Sequence, residues 1–228
     1  EETVTHTTVY AAEDGNRRQE QPYNCRVLQI HNPVLTSTAL MKIKAMNRPG
    51  FHAATVSLLY YKGTHLDLVL DRLAVAVDRA YREGANIVIL SDRGVDENHV
   101  AIPSLLAVSA VERYRIRTKK CTAVSIVLES AEPRDVNHFA TLLGYGAAAI
   151  NPYLAQETIG ELISDGLLDK DYYAAVSDYN KAVPAGIVKL ASKMGISTIQ
   201  SYASSQIFQP PGLSTEVIHK PLPNHVFH

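Results

Sequence analysis

The stretch that decides the fold runs from Asn137 to Ala155 and reads NHFATLLGYGAAAINPYLA. Its first part repeats apolar residues at helical spacing, and Ala147 to Ile150 form an apolar run short enough for a central strand. Gly144 and Gly146, between the two, permit a tight reversal in which a side chain would clash. The stretch therefore predicts a helix, a glycine joint and a buried strand in close succession.

A second helix is predicted to start directly after this strand, at Asn151 and Pro152. Asn is a favoured N-cap, and Pro is favoured at the first position of a helix. The carboxyl end of the strand, the start of a helix and an exposed amide then meet at one point. Parallel α/β folds build their binding and catalytic sites along that edge.

The rest of the chain alternates strands and helices. Strands are predicted to begin near residues 53, 86, 122, 147 and 196; the first runs from Ala53 to Tyr60 and is followed by an amphipathic helix from Leu66 to Glu83. The gaps between strands are long enough for crossover helices, so the strands should be parallel with right-handed connections. The predicted fold class is α/β, a parallel sheet or an incomplete TIM-like barrel of repeated strand-helix units.

Composition divides the chain into three segments. Residues 1–24 form a polar N-terminal segment with a short strand at Thr7 to Ala11, and residues 25–209 form the central α/β domain. Residues 210–228 contain several prolines without apolar periodicity, which is typical of a linker or docking arm.

The last predicted helix, around Tyr172 to Lys193, contains a proline at position 184. Proline lacks the N–H of a helical residue and clashes with the preceding turn, so Pro184 is expected to kink or split this helix near Val183.

Charge and cysteine content exclude several classes of function. The 228 residues carry a formal net charge of -1 at pH 7, which gives no electrostatic case for binding nucleic acid or a membrane surface. Cys25 and Cys121 are too distant in sequence for a local zinc or iron–sulfur motif. No run reaches the roughly 20 apolar residues of a membrane span, so a place in the cytoplasm or inside an organelle is expected.

The loop Ser91-Asp92-Arg93-Gly94 follows a strand directly and should lie at its carboxyl end. An aspartate, an arginine and exposed amides there suit an anion or a polar ligand. The alternative is that Asp92 and Arg93 pair with each other or cap neighbouring backbone. Glu129 and Glu132 begin a charged loop after the third strand, where a carboxylate acts as a base or the whole loop is simply solvated.

The glycines at 144 and 146 do not form a dinucleotide-binding fingerprint. That fingerprint follows a strand and opens a helix, whereas this pair follows a helix and opens a strand. The residues alone therefore indicate a parallel α/β domain without a self-evident active site.

Four segments in order resemble the central domain of the large subunit of glutamate synthase. They are the SDR loop with AIPSLLA at 101–107, HFATLLGYGAAAINPYLA at 138–155, SKMGISTIQSY at 192–202 and QIF at 206–208. The resemblance covers most of residues 25–208. In such enzymes glutamine is hydrolysed in an N-terminal amidotransferase domain, and ammonia travels internally to 2-oxoglutarate at an FMN domain that also holds an iron–sulfur cluster.

The resemblance implies a connecting domain without catalytic residues, cofactor or metal of its own. Its partners are the amidotransferase and FMN domains of the same polypeptide, in the cytoplasm or, for a plant-type enzyme, the plastid stroma. The residues expected to line the ammonia channel or contact other domains are Ser91, Asp92, Arg93, Gly144, Gly146, Ala149, Asn151, Ser197 and Ser201.

Several positions depart from the pattern of that family. They are Glu112 and Asn137, where histidine is common, Ala131, where glycine is usual, Pro184 within a helix, and Ala203 and Ser204, where Arg-Gly is expected. These changes bear on the junction with the FMN domain more than on the fold. Two alternative hypotheses stay open: an independent domain that binds FMN or a phosphate-bearing ligand, and an interaction module that acts through its terminal arms.

Overall fold

The structure, a computed structural model, describes residues 7–11, 26–46, 48–120 and 123–196. In chain order the elements are β1 (Thr7–Ala11), β2 (Arg26–Ile30), α1 (Ser37–Lys44), β3 (Ala53–Ser57), β4 (Leu59–Tyr61), α2 (Leu66–Arg82), β5 (Ile87–Ser91), β6 (His99–Ala101), α3 (Ser104–Arg117), β7 (Ser125–Glu129), α4 (Val136–Gly144), β8 (Ala149–Asn151), α5 (Tyr153–Ser164) and α6 (Tyr172–Lys193). The short strand expected at residues 7–11 is β1, and it pairs antiparallel with β2.

The centre of the fold is a four-stranded parallel sheet in the order β3-β5-β7-β8. Neighbouring strands of this sheet follow each other along the chain, with α2, α3 and α4 in the three connections. Strands that adjoin in chain order, each followed by a helix, are the arrangement found in a TIM barrel. The predicted α/β class with parallel strands is confirmed, whereas the strand expected from residue 196 lies outside the described residues.

The segment that leads into α1 closes the outer edge of β8. Val34 forms a parallel bridge with Ile150. The Leu35 N–H donates to the Ile150 carbonyl at 2.8 Å, and the Ile150 N–H donates to the Pro33 carbonyl at 2.7 Å. Residues 33–35 are therefore fixed beside the end of the sheet that carries Asn151.

Both faces of the sheet are buried. In β5, Val88 and Leu90 join a large apolar cluster with α2, α3, α4 and α6, whereas Ile87 and Ile89 join a smaller cluster with α1. Successive side chains of a strand point to opposite faces, so a strand covered on both sides is apolar throughout. The amphipathic helix predicted from the sequence is α2, and its apolar face is buried in the larger cluster.

The single strand predicted from Ala53 to Tyr60 is wrong, because the chain forms two strands there. β3 ends at Ser57, and β4 pairs antiparallel with β6, a short strand that was not predicted. The change of partner occurs at Leu58, whose N–H donates to the Ser91 carbonyl at 2.8 Å while its carbonyl accepts from Ile102 at 2.9 Å. One residue thus bonds to the parallel sheet on one side and to the next loop on the other.

The predicted cap of α5 is also wrong. Asn151 is the last residue of β8, Pro152 takes the N-cap position, and the helix begins at Tyr153. The Asn151 side chain is fully buried, and its Nδ2 donates to the Leu35 carbonyl at 2.9 Å. Its amide is held by the α1 lead, so it is neither exposed nor a helix cap.

α6 runs from Tyr172 to Lys193 as one helix, so of the two outcomes expected at Pro184, a kink or a split, the split is wrong. A residue in this place normally donates its N–H to the carbonyl four residues earlier, here that of Asn180. The Asn32 side chain replaces that donor, with Nδ2 at 2.8 Å from the Asn180 carbonyl oxygen. An amide from outside the helix therefore satisfies the carbonyl that proline leaves free.

Of the two glycines predicted to form the joint before β8, Gly146 has a positive φ, whereas Gly144 is the last residue of α4. Gly146 has a φ of +117°, and a Cβ built on it would lie 2.8 Å from Cδ of Glu112. The backbone conformation therefore favours glycine at this position, and an added Cβ would also displace the Glu112 side chain.

Candidate functional site

Buried polar residues collect at the carboxyl edge of the parallel sheet. Ser91 and Asp92 lie at the end of β5, Glu129 and Ser130 at the end of β7, and Asn151 at the end of β8, and all five are buried. Parallel strands present their carboxyl ends at one edge, where α/β proteins place their sites. This edge carries two neighbouring networks, one of charged side chains and one of amides.

The charged network is centred on Glu129. Its carboxylate accepts from Lys44 Nζ at 2.7 Å and from Arg93 Nε at 2.6 Å. Arg93 Nη1 lies 3.3 Å from Glu157 Oε1, and the guanidinium Cζ lies 3.9 Å from the centre of the Tyr153 ring. The network therefore ties the ends of β5 and β7 to α1 and to α5.

Electrostatics keep Glu129 ionised. Burial raises the pKa of its carboxyl group, but hydrogen bonds and charges from Lys44 and Arg93 outweigh that effect and hold the pKa below its ordinary value. Burial lowers the pKa of Arg93, but its contacts with Glu129 and Glu157 raise the pKa by more, so the net shift is upward. The prediction of a solvated loop is wrong for Glu129, and a carboxylate with a lowered pKa held by two cations is unsuited to act as a general base.

Asp92 caps the backbone of the loop after β7. It accepts from Ser130 Oγ at 2.6 Å, from the Ala131 N–H at 3.1 Å and from the Tyr153 hydroxyl at 2.7 Å. Burial, followed by the contact with Asp92, raises the pKa of Tyr153, so its hydroxyl remains a donor. Of the alternatives drawn from the sequence, capping of neighbouring backbone is confirmed.

Arg93 does not pair with Asp92, because its guanidinium bonds to Glu129 and Glu157. Two carboxylates neutralise the cation on which an anion site in this loop would depend. The geometry of residues 91–94 therefore favours an internal support for the sheet edge over a phosphate site.

The amide network lies on the other side of Asn151. The Leu35 carbonyl accepts from Asn151 Nδ2 at 2.9 Å and from Gln156 Nε2 at 3.0 Å, and Gln156 Nε2 also lies 3.3 Å from Asn180 Oδ1. All three side chains are buried. Among the described residues, Asn151 Oδ1 has no hydrogen-bond partner. A fully buried acceptor without a donor is uncommon, because it loses its hydration without compensation.

A cavity of about 600 Å³ adjoins the amide network. Gln156 and Asn180 contribute to its wall, and the remaining polar groups are mainly hydroxyls from the start of α1 and from α6; the polar lining residues other than these two include Asn32, Thr36, Ser37, Thr38, Tyr172, Tyr173, Ser177 and Lys181. Lys181 is the single basic or acidic residue of this lining. The wall also includes Ile30, Val34, Leu35, Ala39 and Val176, so the cavity is largely apolar and almost uncharged.

A second cavity, of about 520 Å³, lies between the starts of α3 and α4. Two of its polar side chains already have partners within the protein. Glu132 Oε1 accepts from the Ser104 N–H at 3.1 Å, and His138 Nδ1 accepts from the Arg134 N–H at 3.1 Å. The remaining wall is largely apolar and includes Leu105, Leu142 and Leu154.

The structure brings together only part of the residues predicted to form the site. Ser91, Asp92, Arg93 and Asn151 lie at the carboxyl edge, and Ala149 lies two residues before Asn151 on the same face of β8. The two glycines at 144 and 146 precede β8, so they lie towards its opposite, amino end. The two serines at 197 and 201 lie outside the described residues.

Sequence patterns missed Lys44, Tyr153, Gln156, Glu157 and Asn180. Their contacts join residues that are distant in the chain, and no short motif marks them. Gln156 and Asn180 are polar residues on the buried sides of helices, which is the one signal that the sequence offered for them.

The described part of the chain gives no support for a metal site or a membrane span. No group of three or more His, Cys, Asp or Glu residues in that part is placed to hold a metal ion. Each helix in it is too short or too polar to cross a bilayer.

Two solved structures resemble this chain weakly. Dihydroorotate dehydrogenase (DHODH) from Eimeria tenella in complex with ferulenol matches 76% of this chain and 44% of its own, with 12% identity and a TM-score of 0.46. A mutant flavocytochrome b2 with benzoylformate matches 62% of this chain and 39% of its own, with 12% identity and a TM-score of 0.45.

Sequence relatives are far more similar. The glutamate synthase (NADPH) large chain of Bacillus subtilis is 40% identical over 96% of this chain, and the glutamate synthase (NADH) of Schizosaccharomyces pombe is 34% identical over 96%. This chain spans 14% and 11% of the length of these two relatives. Residues 1–214 match the family described as the glutamate synthase central domain. With that match over nearly its whole length, the chain belongs to the glutamate synthase central domain family.

Proposed function

We propose that this chain is a connecting domain of a glutamate synthase, carries no catalytic residue, and helps to shape a path for ammonia. It would link a glutamine amidotransferase domain to an FMN domain of the same polypeptide, in the cytoplasm or a plastid stroma. FMN and an iron–sulfur cluster would then be bound outside residues 1–228. Residues 25–209 would form the domain proper, with residues 1–24 and 210–228 as connecting arms. Family membership and the small share of each relative that this chain covers support this setting.

The side-chain oxygen of Asn151, for which the described residues offer no hydrogen-bond donor, is the observation that carries the proposal. This acceptor is fully buried and lies next to the buried amides of Gln156 and Asn180, which line the nearly uncharged cavity. Ammonia is a small neutral donor, so a buried carboxamide oxygen can accept a hydrogen bond from it during passage. Neutral amides and hydroxyls also offer no acidic proton that would convert ammonia into ammonium.

The charged network is compatible with such a path because its charges are already compensated. The lowered pKa of Glu129 keeps this carboxylate ionised and unable to donate a proton near neutral pH. Asp92 is covered by three donors. Ser91 and Arg93 hold these groups in place, whereas Gly144 and Gly146 set how the chain enters β8. Ser197 and Ser201 stay in the proposal as path residues on the strength of the resemblance alone.

The test compares two alanines close together in the chain. Ala149 is fully buried on the face of β8 that carries Asn151, and Ala147 is buried at the amino end of the same segment, in the other apolar cluster. Ala149→Leu and Ala147→Leu would be introduced into the full-length polypeptide. The measurement is the ratio of glutamine hydrolysed to glutamate formed, with free ammonia in the medium and the melting temperature of each variant.

We expect Ala149→Leu to release ammonia and raise this ratio, because added methyl groups would narrow the space beside the amide network. Ala147→Leu introduces the same overpacking, typically about 1–3 kcal/mol, and should leave the ratio unchanged. Tight coupling in a folded Ala149→Leu variant would contradict the proposed path. Equal loss of coupling in both variants would show that packing, not the path, was affected.

A further inference from the structure

The connection between α5 and α6 exposes an apolar surface for which the described residues provide no cover. Leu167 and Tyr173 are 76% and 78% exposed, and Leu162 and Tyr172 are each 38% exposed. We call these four side chains the α5–α6 face. α5 is rich in apolar residues, yet Gln156 is its only buried residue in the described structure. The helix therefore presents apolar surface that its own domain does not use.

This face is preorganised. The N–H groups of Leu167 and Leu168 both donate to the Leu162 carbonyl, at 2.9 Å and 3.1 Å. The Tyr172 ring packs on Gly160, where an added Cβ would lie 3.4 Å from it, and the rings of Tyr172 and Tyr173 make an edge contact with centroids 5.5 Å apart. The backbone of this connection and the two tyrosine rings are therefore held before docking, which lowers the entropic cost of burying them.

Acidic residues adjoin the face along the chain. Residues 157–178 contain one basic residue, Lys170, against six acids: Glu157, Glu161, Asp165, Asp169, Asp171 and Asp178. Lys170 pairs with Asp178, Glu157 with Arg93, and Asp171 caps the start of α6. The side chains of Glu161, Asp165 and Asp169 are exposed and have no ion pair among the described residues. Because the whole chain has a formal net charge of only -1, this negative charge is local.

We infer that the α5–α6 face docks another part of the same long polypeptide, a surface with an apolar centre and a rim of lysine and arginine. The chain spans only 14% of the length of its relative from Bacillus subtilis, so most of such a polypeptide is available as partner. The chain's own residues 197–228 are a poor match, because they contain one lysine, Lys220, and no arginine. This inference rests on the proposed connecting role and assigns a surface to it.

Zero-length carbodiimide cross-linking of the full-length polypeptide tests the inference, because this reagent joins carboxylates to lysines in direct contact. We expect Glu161, Asp165 or Asp169 to be joined to lysines outside residues 1–228 of the same molecule. Tyr173→Asp should lower the yield of these links about tenfold, since an unpaired charge in the apolar centre costs more than about 1.4 kcal/mol. Val75→Asp, at a residue of α2 that is 69% exposed, is the matched control and should leave the yield unchanged.

Three results would overturn the inference: no links from these carboxylates, links only within residues 1–228, or links to a separate polypeptide. None of them depends on the path through Asn151. If the links fail while Ala149→Leu still releases ammonia, the docking surface is wrong and the connecting role survives. If the links form while Ala149→Leu remains coupled, the surface is supported and the ammonia path is wrong.

Discussion

Glu129 shows how single residues shape this edge of the sheet. A buried carboxylate with 3% exposure would be costly alone, but Lys44 contacts its Oε2 and Arg93 contacts its Oε1. Both cations keep more than a third of their side chains exposed, so each can return to water if the carboxylate is lost. The network thus fixes α1 against the ends of β5 and β7, and the loss of one partner should cost less than it would in a fully buried ion pair.

Replacement of Glu129 should lower stability in a pH-dependent manner. The folded pKa of Glu129 lies below the ordinary 4.5, so its contribution is complete above pH 4.5 and is lost as pH falls through the folded value. We expect Glu129→Gln to reduce the free energy of unfolding by about 1–3 kcal/mol at pH 7, less than for a fully buried pair because its partners are hydrated. The difference from wild type should shrink below pH 4.5.

Urea unfolding at pH 7 and at pH 3.5 measures this difference. Glu83→Gln is the control, since Glu83 pairs with Arg79 on the surface, with side chains 65% and 80% exposed. It should change stability by less than about 0.5 kcal/mol at either pH. A Glu129→Gln protein as stable as the control at pH 7 would show that the charged network does not support the sheet edge.

At this scale the sequence predicted where side chains lie but not what they contact. Asp92 and Arg93 follow an apolar strand, so their place at the carboxyl edge could be inferred from local pattern. Their partners Glu157, Tyr153 and Ser130 come from other elements, and pairing among them depends on the assembled sheet. For the same reason, the sequence did not reveal that the Asn151 amide donates to the Leu35 carbonyl.

Among the elements, α6 contains a proline that removes a backbone hydrogen bond and yet does not split the helix. Pro184 removes a backbone donor, but the Asn32 amide reaches the freed Asn180 carbonyl. Asn32 also accepts from the Val34 N–H at 2.9 Å, so one side chain serves both the helix and the segment that closes β8. The compensation lies 148 residues away in the chain, outside the reach of any local pattern.

Asn32 and Pro184 should be energetically coupled. Asn32→Ala leaves the Asn180 carbonyl without its donor, which we expect to cost about 1–3 kcal/mol. Pro184→Ala supplies a backbone N–H to the same carbonyl. The Asn32→Ala, Pro184→Ala double variant should therefore be more stable than the sum of the two single changes predicts.

A double-mutant cycle with urea unfolding isolates this coupling, because losses that concern only one residue, such as the Val34 contact, cancel. We expect a coupling energy of about 1 kcal/mol in favour of the double variant. Additive effects would mean that the Asn32 amide does not replace the donor that proline lacks.

The bounds of an element agreed with the sequence prediction where the hydrophobic pattern continued over several turns. α2 begins at the expected residue and ends one residue before the expected end, because its buried face repeats over several turns. Strand ends were less accurate, since the apolar run after Ala53 does not reveal that Leu58 changes partners. The predicted start of α5 was wrong because the Asn151 side chain bonds to the distant Leu35 carbonyl and does not cap the helix.

On the scale of the whole molecule, the parallel sheet positions buried polar groups at its carboxyl edge, where most of them have hydrogen-bond or ion-pair partners. Its carboxyl edge carries ion pairs on one side of Asn151 and neutral amides on the other. The cations in the charged network are paired, and the group left without a partner at this edge of the described structure is an amide oxygen. This distribution favours guiding a neutral molecule over binding an anionic cofactor.

Flavin titration of the 228-residue chain tests this conclusion most directly, because it separates a connecting domain from an independent flavoprotein. Flavin fluorescence and the thermal unfolding transition would be followed together as FMN is added. We expect a cooperative unfolding transition whose midpoint does not move, with unquenched flavin fluorescence. Saturable quenching with a higher midpoint, about 2.7 kcal/mol of stabilisation at a hundredfold excess over Kd, would contradict it and assign cofactor chemistry to this chain.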